Sequence, residues 1–129
     1  MNVVADTHTW VWWILRTDNL STAAKESLQS ADQVLVSAIS LWEVAMLIEK
    51  GRIPIDRSVQ DFFDHALAER RIEVVPISTA IAARCSEFGT TLHGDPADRL
   101  IAATALELSI PLVTRDARLT GLAGLRTIW

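Results

Sequence analysis

Short β-branched, apolar runs alternate along the chain with longer stretches whose apolar residues recur at helical spacing. Asn2-Val3-Val4-Ala5, Val34-Leu35-Val36-Ser37, Ile72-Glu73-Val74-Val75 and Leu112-Val113-Thr114 read as strands, and Leu125-Arg126-Thr127-Ile128 is a candidate fifth. Helices are predicted over 7–16, 20–30, 40–50, 59–71, 78–88 and 97–108. Ser21-Thr22 and Ser78 are suited to capping helix starts, and Gly51 and Gly89 to ending helices. Phe62, Phe63, Ala66 and Leu67 form a helical stripe. This alternation predicts an α/β fold: a central, mostly parallel sheet of four or five strands flanked by helices. No repeat, linker or low-complexity stretch interrupts the 129 residues, so a single domain over 1–129 is expected.

Composition narrows the function classes. With 50% hydrophobic and 22% charged residues the chain is globular rather than disordered. Its apolar runs fall short of the roughly 18 residues of a membrane span. Asp6 and His8 interrupt the start and no basic segment precedes them, so no signal peptide is read and a cytoplasmic location is expected. A lone Cys85 excludes an internal disulfide and a cysteine zinc site. The net charge of −4, from 12 Lys+Arg against 16 Asp+Glu, cannot hold nucleic acid by bulk attraction. A nucleic-acid partner then needs a local basic patch or a metal ion. Phosphate-binding loops, a Gly-x-Gly-x-x-Gly and a Gly-x-Ser-x-Gly elbow are all missing.

Parallel sheets carry their sites at the carboxyl ends of the strands. Asp6 follows the first strand there, and Asp116 the fourth. Glu43 is expected in the first turn of the helix after the second strand. Asp98 falls in the first turn of the helix opened by Asp95-Pro96, with Ile101, Ala102 and Ala105 on its face, so it should point inward. Each acid also has a plain local reading. Ser40-Leu41-Trp42-Glu43 matches a capping box, Asp98 suits a positive helix start, and Asp6 and Asp116 suit turns or N-caps. Taken together, four carboxylates on one sheet edge repel one another, and the two lysines of the chain, Lys25 and Lys50, are too few to balance them. A divalent cation removes the repulsion, and an all-oxygen set suits Mg²⁺ or Mn²⁺. Asp6, Asp98 and Asp116 are the expected metal ligands, Glu43 a ligand or the residue orienting the attacking water, and Thr7 and Thr114 nearby hydroxyls. Such a site suits phosphodiester hydrolysis.

Four blocks carry a family resemblance: Val3-Val4-Ala5-Asp6-Thr7-His8, Ser37-Ala38-Ile39-Ser40-Leu41-Trp42-Glu43, His93-Gly94-Asp95-Pro96-Ala97-Asp98-Arg99-Leu100-Ile101-Ala102-Ala103, and Leu112-Val113-Thr114-Arg115-Asp116. In this order, over nearly the whole chain, they resemble the PIN-domain ribonucleases, and more narrowly the VapC-type toxins of type II toxin–antitoxin pairs. The resemblance implies a PIN-like fold, cleavage of single-stranded RNA with Mg²⁺ or Mn²⁺, and a small cognate antitoxin protein as partner. It carries the family's acids to Asp6, Glu43, Asp98 and Asp116, with Asp95 as an extra carboxylate read first as a helix N-cap. Two alternatives stay open. A haloacid-dehalogenase-like Mg-dependent phosphatase could use Asp6 as nucleophile, but that group expects a second aspartate where His8 stands. A non-catalytic PIN-like binding module would not need all four acids.

Arg99, Arg115 and Arg118 flank the acids and could hold RNA phosphates or pair with the protein's own carboxylates. His8 and His93 could serve catalysis or be polar surface, His65 should face solvent, and Arg70-Arg71 should complement the end of their own helix. Trp10-Val11-Trp12-Trp13-Ile14-Leu15 is apolar all round a helix. Its outer face is expected to be an apolar patch that meets a second copy in a homodimer, or the antitoxin.

Overall fold

The computed structural model describes residues 1–89, 92 and 95–129. Five strands, β1 (Val3–Ala5), β2 (Val34–Ser37), β3 (Ile72–Val75), β4 (Leu112–Val113) and β5 (Thr127–Ile128), form one sheet in the order β3-β2-β1-β4-β5, and every pair is parallel. Between them run α1 (Thr7–Ile14), α2 (Thr22–Ser30), α3 (Ala38–Glu49), α4 (Val59–Ala66), α5 (Thr79–Cys85), α6 (Pro96–Leu108) and α7 (Ala117–Thr120). The α/β architecture and the fifth strand are as the sequence pattern predicts.

Alternation of side chains along each strand builds a core on both sheet faces. Val3, Ala5, Val34 and Val36 face one side with Trp10, Leu28, Val44 and Phe62 of α1 to α4. Val4, Leu35 and Leu112 face the other, against Ile101, Ala102 and Ala105 of α6 and Leu119 of α7. With both faces covered, β1 is buried at all three positions, as a continuous apolar run in a parallel sheet requires.

Several boundaries differ from the sequence expectation for identifiable reasons. The third helix begins at Ala38 rather than 40, because the Ser37 hydroxyl caps it by accepting from the Ile39 amide at 3.3 Å. It ends in a Schellman turn: the Gly51 amide donates to Ile48 and the Arg52 amide to Leu47, with Gly51 at φ +72°. The helix expected over 59–71 stops at Ala66. Arg71 therefore does not close its own helix; its Nη1 donates to the carbonyls of Gln29 at 2.9 Å and Ala31 at 3.2 Å, at the C-terminal end of α2. The stretch 78–88 is split into α5 and a 3₁₀ turn over Ser86–Phe88. The short helix α7 was not expected; Asp116 caps it through the Arg118 amide.

The helix at 10–15 also departs from expectation. Trp10 and Val11 enter the core, but the outer face is not a bare apolar patch. Trp13 lies under the Arg71 guanidinium at 5.7 Å, and Trp12 stands beside Trp129 and His8.

Candidate active site

Because all strands run the same way, their carboxyl ends meet at one edge. There the chain leaves β1 into α1 at Asp6, β2 into α3 at Ser37, and β4 into α7 at Asp116. A cleft of about 390 Å³ at this edge is lined by Asp6, Glu43, Asp98 and Asp116, together with Thr7, His8, Thr9, Trp12, Asp95, Arg115 and Arg118. The four acids singled out in the sequence thus share one cleft.

Three of the acidic residues are helix caps as well as cleft residues. Asp6 accepts from the Thr7 amide at 2.8 Å, Asp95 from Ala97 at 2.9 Å and Asp116 from Arg118 at 2.9 Å. For Asp6 and Asp116 the capping and site readings therefore hold together, since a helix start aimed at the cleft needs an acid there on both counts. Thr114, at the end of β4, donates its hydroxyl to Asp6 Oδ2 at 2.7 Å.

Glu43 is not the closing residue of a capping box. With α3 starting at Ala38, Ser40 and Glu43 lie inside the helix and turn toward α1. The Thr7 hydroxyl donates to Glu43 Oε1 and lies 2.8 Å from the Ser40 hydroxyl, which is fully buried. With Glu43 ionised the Thr7 proton is directed at its carboxylate, and the three side chains form one chain of hydrogen bonds, Ser40 to Thr7 to Glu43. The sequence presents Ser40 as a cap; because Ser37 provides the cap instead, the i+3 spacing of Ser40 and Glu43 sets both on one inward face of the helix.

Charge is crowded here. Burial first, then Asp95, Asp6 and Asp98 as like charges, push the Glu43 carboxyl up to about 7 against the opposing pull of the Thr7 hydroxyl. Burial followed by the nearby Asp6 charge pushes Asp98 up to about 6. Asp6 is raised by burial despite its Thr114 and Thr7 bonds. Asp116 goes the other way, held low by Arg118.

Arg118 supplies the counter-charge that the lysine count did not suggest. Its Nη2 lies 2.7 Å from both Asp98 Oδ2 and Asp116 Oδ2. Of the two readings for this residue, pairing with the protein's own acids is the one observed. Arg115 lines the cleft and makes no such pairing among the described residues. Arg99 turns away from the acids and donates to the Gly89 carbonyl at 2.7 Å and to that of Cys85 at 3.4 Å, so its expected place beside the substrate is not observed. His65 is exposed, as expected, and His93 lies outside the described residues. Asp95, Trp12 and Ser40 join the site without having been singled out for it.

The donor set fits a hard cation: carboxylates and hydroxyls with no thiol, in a cleft whose acids raise one another. The ligands are gathered rather than converged. Among the described residues no three of His, Cys, Asp and Glu already stand close enough to hold one ion. Arg118 spans the interval between two of them.

Comparison with known proteins agrees with this architecture. The family model for the PIN domain matches residues 3–125. Ribonuclease VapC22 of Mycobacterium tuberculosis is 40% identical over 117 residues, which are 91% of this chain and 88% of that one. The fold is similar to VapC-containing structures at lower identity. One is VapBC2 from Rickettsia felis bound to a DNA fragment from its promoter, with TM-score 0.72 and 20% identity over 98% of this chain and 97% of that one. Another is Mycobacterium tuberculosis VapC20, a sarcin–ricin loop cleaving toxin, with TM-score 0.69 and 15% identity over 96% and 98%. With its sheet order, its acidic edge and a family match over nearly its whole length, the chain belongs to the PIN domain family, among the VapC-type proteins.

Proposed function

We propose that the protein is a metal-dependent endoribonuclease and the toxin of a toxin–antitoxin pair, acting as one catalytic domain over 1–129. The observation that carries this reading is the meeting of Asp6, Glu43, Asp98 and Asp116 in one cleft of a PIN-family chain. Mg²⁺, or Mn²⁺ in its place, is the cofactor the donor set suits, held by Asp6, Asp98 and Asp116. When bound, the ion neutralises charge at the phosphate and makes water a better nucleophile near neutral pH.

The chain's own residues do the rest. Glu43, its carboxyl raised toward 7, is poised to take a proton from the attacking water at neutral pH. Thr7 fixes which Glu43 oxygen is engaged, and Ser40 fixes Thr7. Thr114 holds Asp6 in one orientation. Arg115, at the cleft and without a carboxylate partner among the described residues, contacts a phosphate of the RNA. Arg118, now paired with Asp98 and Asp116, would be the second cation of the cleft able to reach that phosphate if those pairs open. Arg99 holds the chain around Gly89 rather than the substrate. Water attacks phosphorus in line, leaving 5′-phosphate and 3′-hydroxyl ends.

A small cognate antitoxin restrains the enzyme, which acts as a homodimer. The name VapC22 and the VapBC complexes among similar folds support this partner. No helix among the described residues is long and apolar enough to cross a membrane. The test is RNA-end sequencing after brief induction, paired with cleavage by purified protein in Mg²⁺, Mn²⁺ and EDTA. Discrete new 5′-phosphate ends that vanish with EDTA and in Asp6→Asn are expected. Cleavage indifferent to both would overturn the reading.

A further inference from the structure

Hydrolysis uses the carboxylates and hydroxyls of the cleft but makes no use of two aromatic rings that line it, His8 and Trp12. The two stand 5.7 Å apart between centroids, and Trp129 continues the row 6.0 Å beyond Trp12. Topology explains the meeting. His8 and Trp12 lie one turn apart on α1, which starts at the end of β1. Trp129 directly follows β5, whose carboxyl end adjoins that of β4; the Thr114 amide donates to the Ile128 carbonyl at 3.1 Å. The row therefore begins in the cleft and runs out along the same sheet edge as the acids. His8 is exposed, Trp12 half-buried and Trp129 36% exposed, so ring surface is reachable along its length.

We propose that the His8–Trp12–Trp129 row is a nucleobase-stacking subsite that holds one or two bases of single-stranded RNA beside the scissile phosphate. The inference rests on the ribonuclease reading and deepens it by saying how the substrate is held. The charge of the cleft favours such a subsite. Among the described residues the cleft sets five carboxylates against two arginines, and one of these is engaged with Asp98 and Asp116. A polyanion gains little from that balance, in a chain of net charge −4. Stacking on aromatic faces is independent of phosphate charge and tolerant of base identity, and it is a principal means by which proteins hold unpaired RNA. Continuity with the carboxylate cleft favours a ligand whose backbone lies in that cleft over a partner protein seated on the rings alone.

The experiment uses short, fluorescently labelled single-stranded RNAs that contain the mapped cut site, each with a single abasic position. Binding is followed by anisotropy in Ca²⁺ and cleavage in Mg²⁺, for wild type and for His8→Ala, Trp129→Ala and Trp129→Phe. In wild type, loss of a base at one or two positions next to the cut should weaken binding roughly five- to hundredfold, the range for base–aromatic stacking. Trp129→Ala should bind intact RNA more weakly by a similar factor and show a much smaller penalty at that position alone. Trp129→Phe should restore most of both. Equal abasic penalties in wild type and both alanine variants would overturn the subsite. So would variants that bind RNA normally but lose a protein partner, since the row would then be a protein interface. If wild type neither binds nor cuts any RNA, the ribonuclease reading itself fails, and that result precedes every variant.

Discussion

Thr114 donates its hydroxyl to Asp6 Oδ2 at 2.7 Å although 108 residues separate the two. The bond exists because β1 and β4 are adjacent and parallel, with Ala5 paired to Val113, so the residue after each strand reaches the same edge. Asp6 is otherwise exposed to the cost of burial, which raises its carboxyl. Thr114→Val keeps the shape and removes the donor. Asp6 should then rise further, the fold should lose about 1–3 kcal/mol, and Mg²⁺ affinity should fall. Thr114→Ser should behave close to wild type. Chemical denaturation and metal titration of the two variants check this, and equal behaviour would mean that the bond contributes nothing to Asp6.

Asp98 offers a sharper separation of cap from ligand. Its side chain is 14% exposed, faces Asp6 and Asp116, and is pushed up to about 6. Asp98→Asn removes one of the repelling charges. It also removes a pairing with Arg118, but that arginine is 56% exposed, and such pairs contribute at most about 1 kcal/mol. Without metal the variant should therefore be as stable as wild type or more so. Its melting temperature should no longer rise with Mg²⁺, and RNA cleavage should collapse. A variant that still cuts RNA at near wild-type rate would remove Asp98 from the metal site.

Much of this was legible in the sequence because parallel strands announce themselves as apolar runs and put the following residue at the active edge. Asp6 needed only the end of Asn2-Val3-Val4-Ala5 to be placed, and Asp98 only the Asp95-Pro96 helix start. Glu43 was found in the right cleft but on the wrong turn, since Ser40 imitates a cap that Ser37 provides. Arg118 and Arg99 are indistinguishable as flanking cations; which one meets carboxylates depends on α7, a helix of four residues that is too short to leave a periodic signal. Arg71 likewise finds its partners 40 to 43 residues away, at carbonyls of the C-terminal end of α2, through packing that no local pattern encodes.

Arg118 stands where a cation between Asp98 and Asp116 would stand, so the two should compete. Arg118→Gln removes the built-in counter-charge. The metal-free protein should lose little stability, about 1 kcal/mol or less. Mn²⁺ should bind it several-fold more tightly, and Mg²⁺ should raise its melting temperature by more than in wild type. Cleavage should fall nonetheless if Arg118 then serves the RNA phosphate. Calorimetric Mn²⁺ titration gives the decisive number, and an affinity unchanged or weakened by the substitution would show that the arginine does not obstruct the site.

The pH dependence of stability follows from the crowded carboxylates. Glu43 is raised from 4.5 to about 7 and Asp98 from 3.8 to about 6, so between these limits the native state binds more protons than the unfolded chain. Stability from these two groups is fully present below about pH 4 and is lost as pH rises through 6 and then 7. Asp116, held low by Arg118, works oppositely, its contribution being lost only on acidification below the ordinary aspartate range. Metal-free protein should therefore melt at progressively lower temperature from pH 5 to pH 8. Glu43→Gln should flatten the upper part of that decline and Asp98→Asn the lower part. Saturating Mg²⁺ should abolish or reverse the trend, because the ion binds the ionised acids and each proton lost then favours the liganded state. Melting curves across this range, with EDTA and with Mg²⁺, measure all three slopes. A metal-free melting temperature that climbs steadily with pH would mean that these acids do not crowd one another in solution.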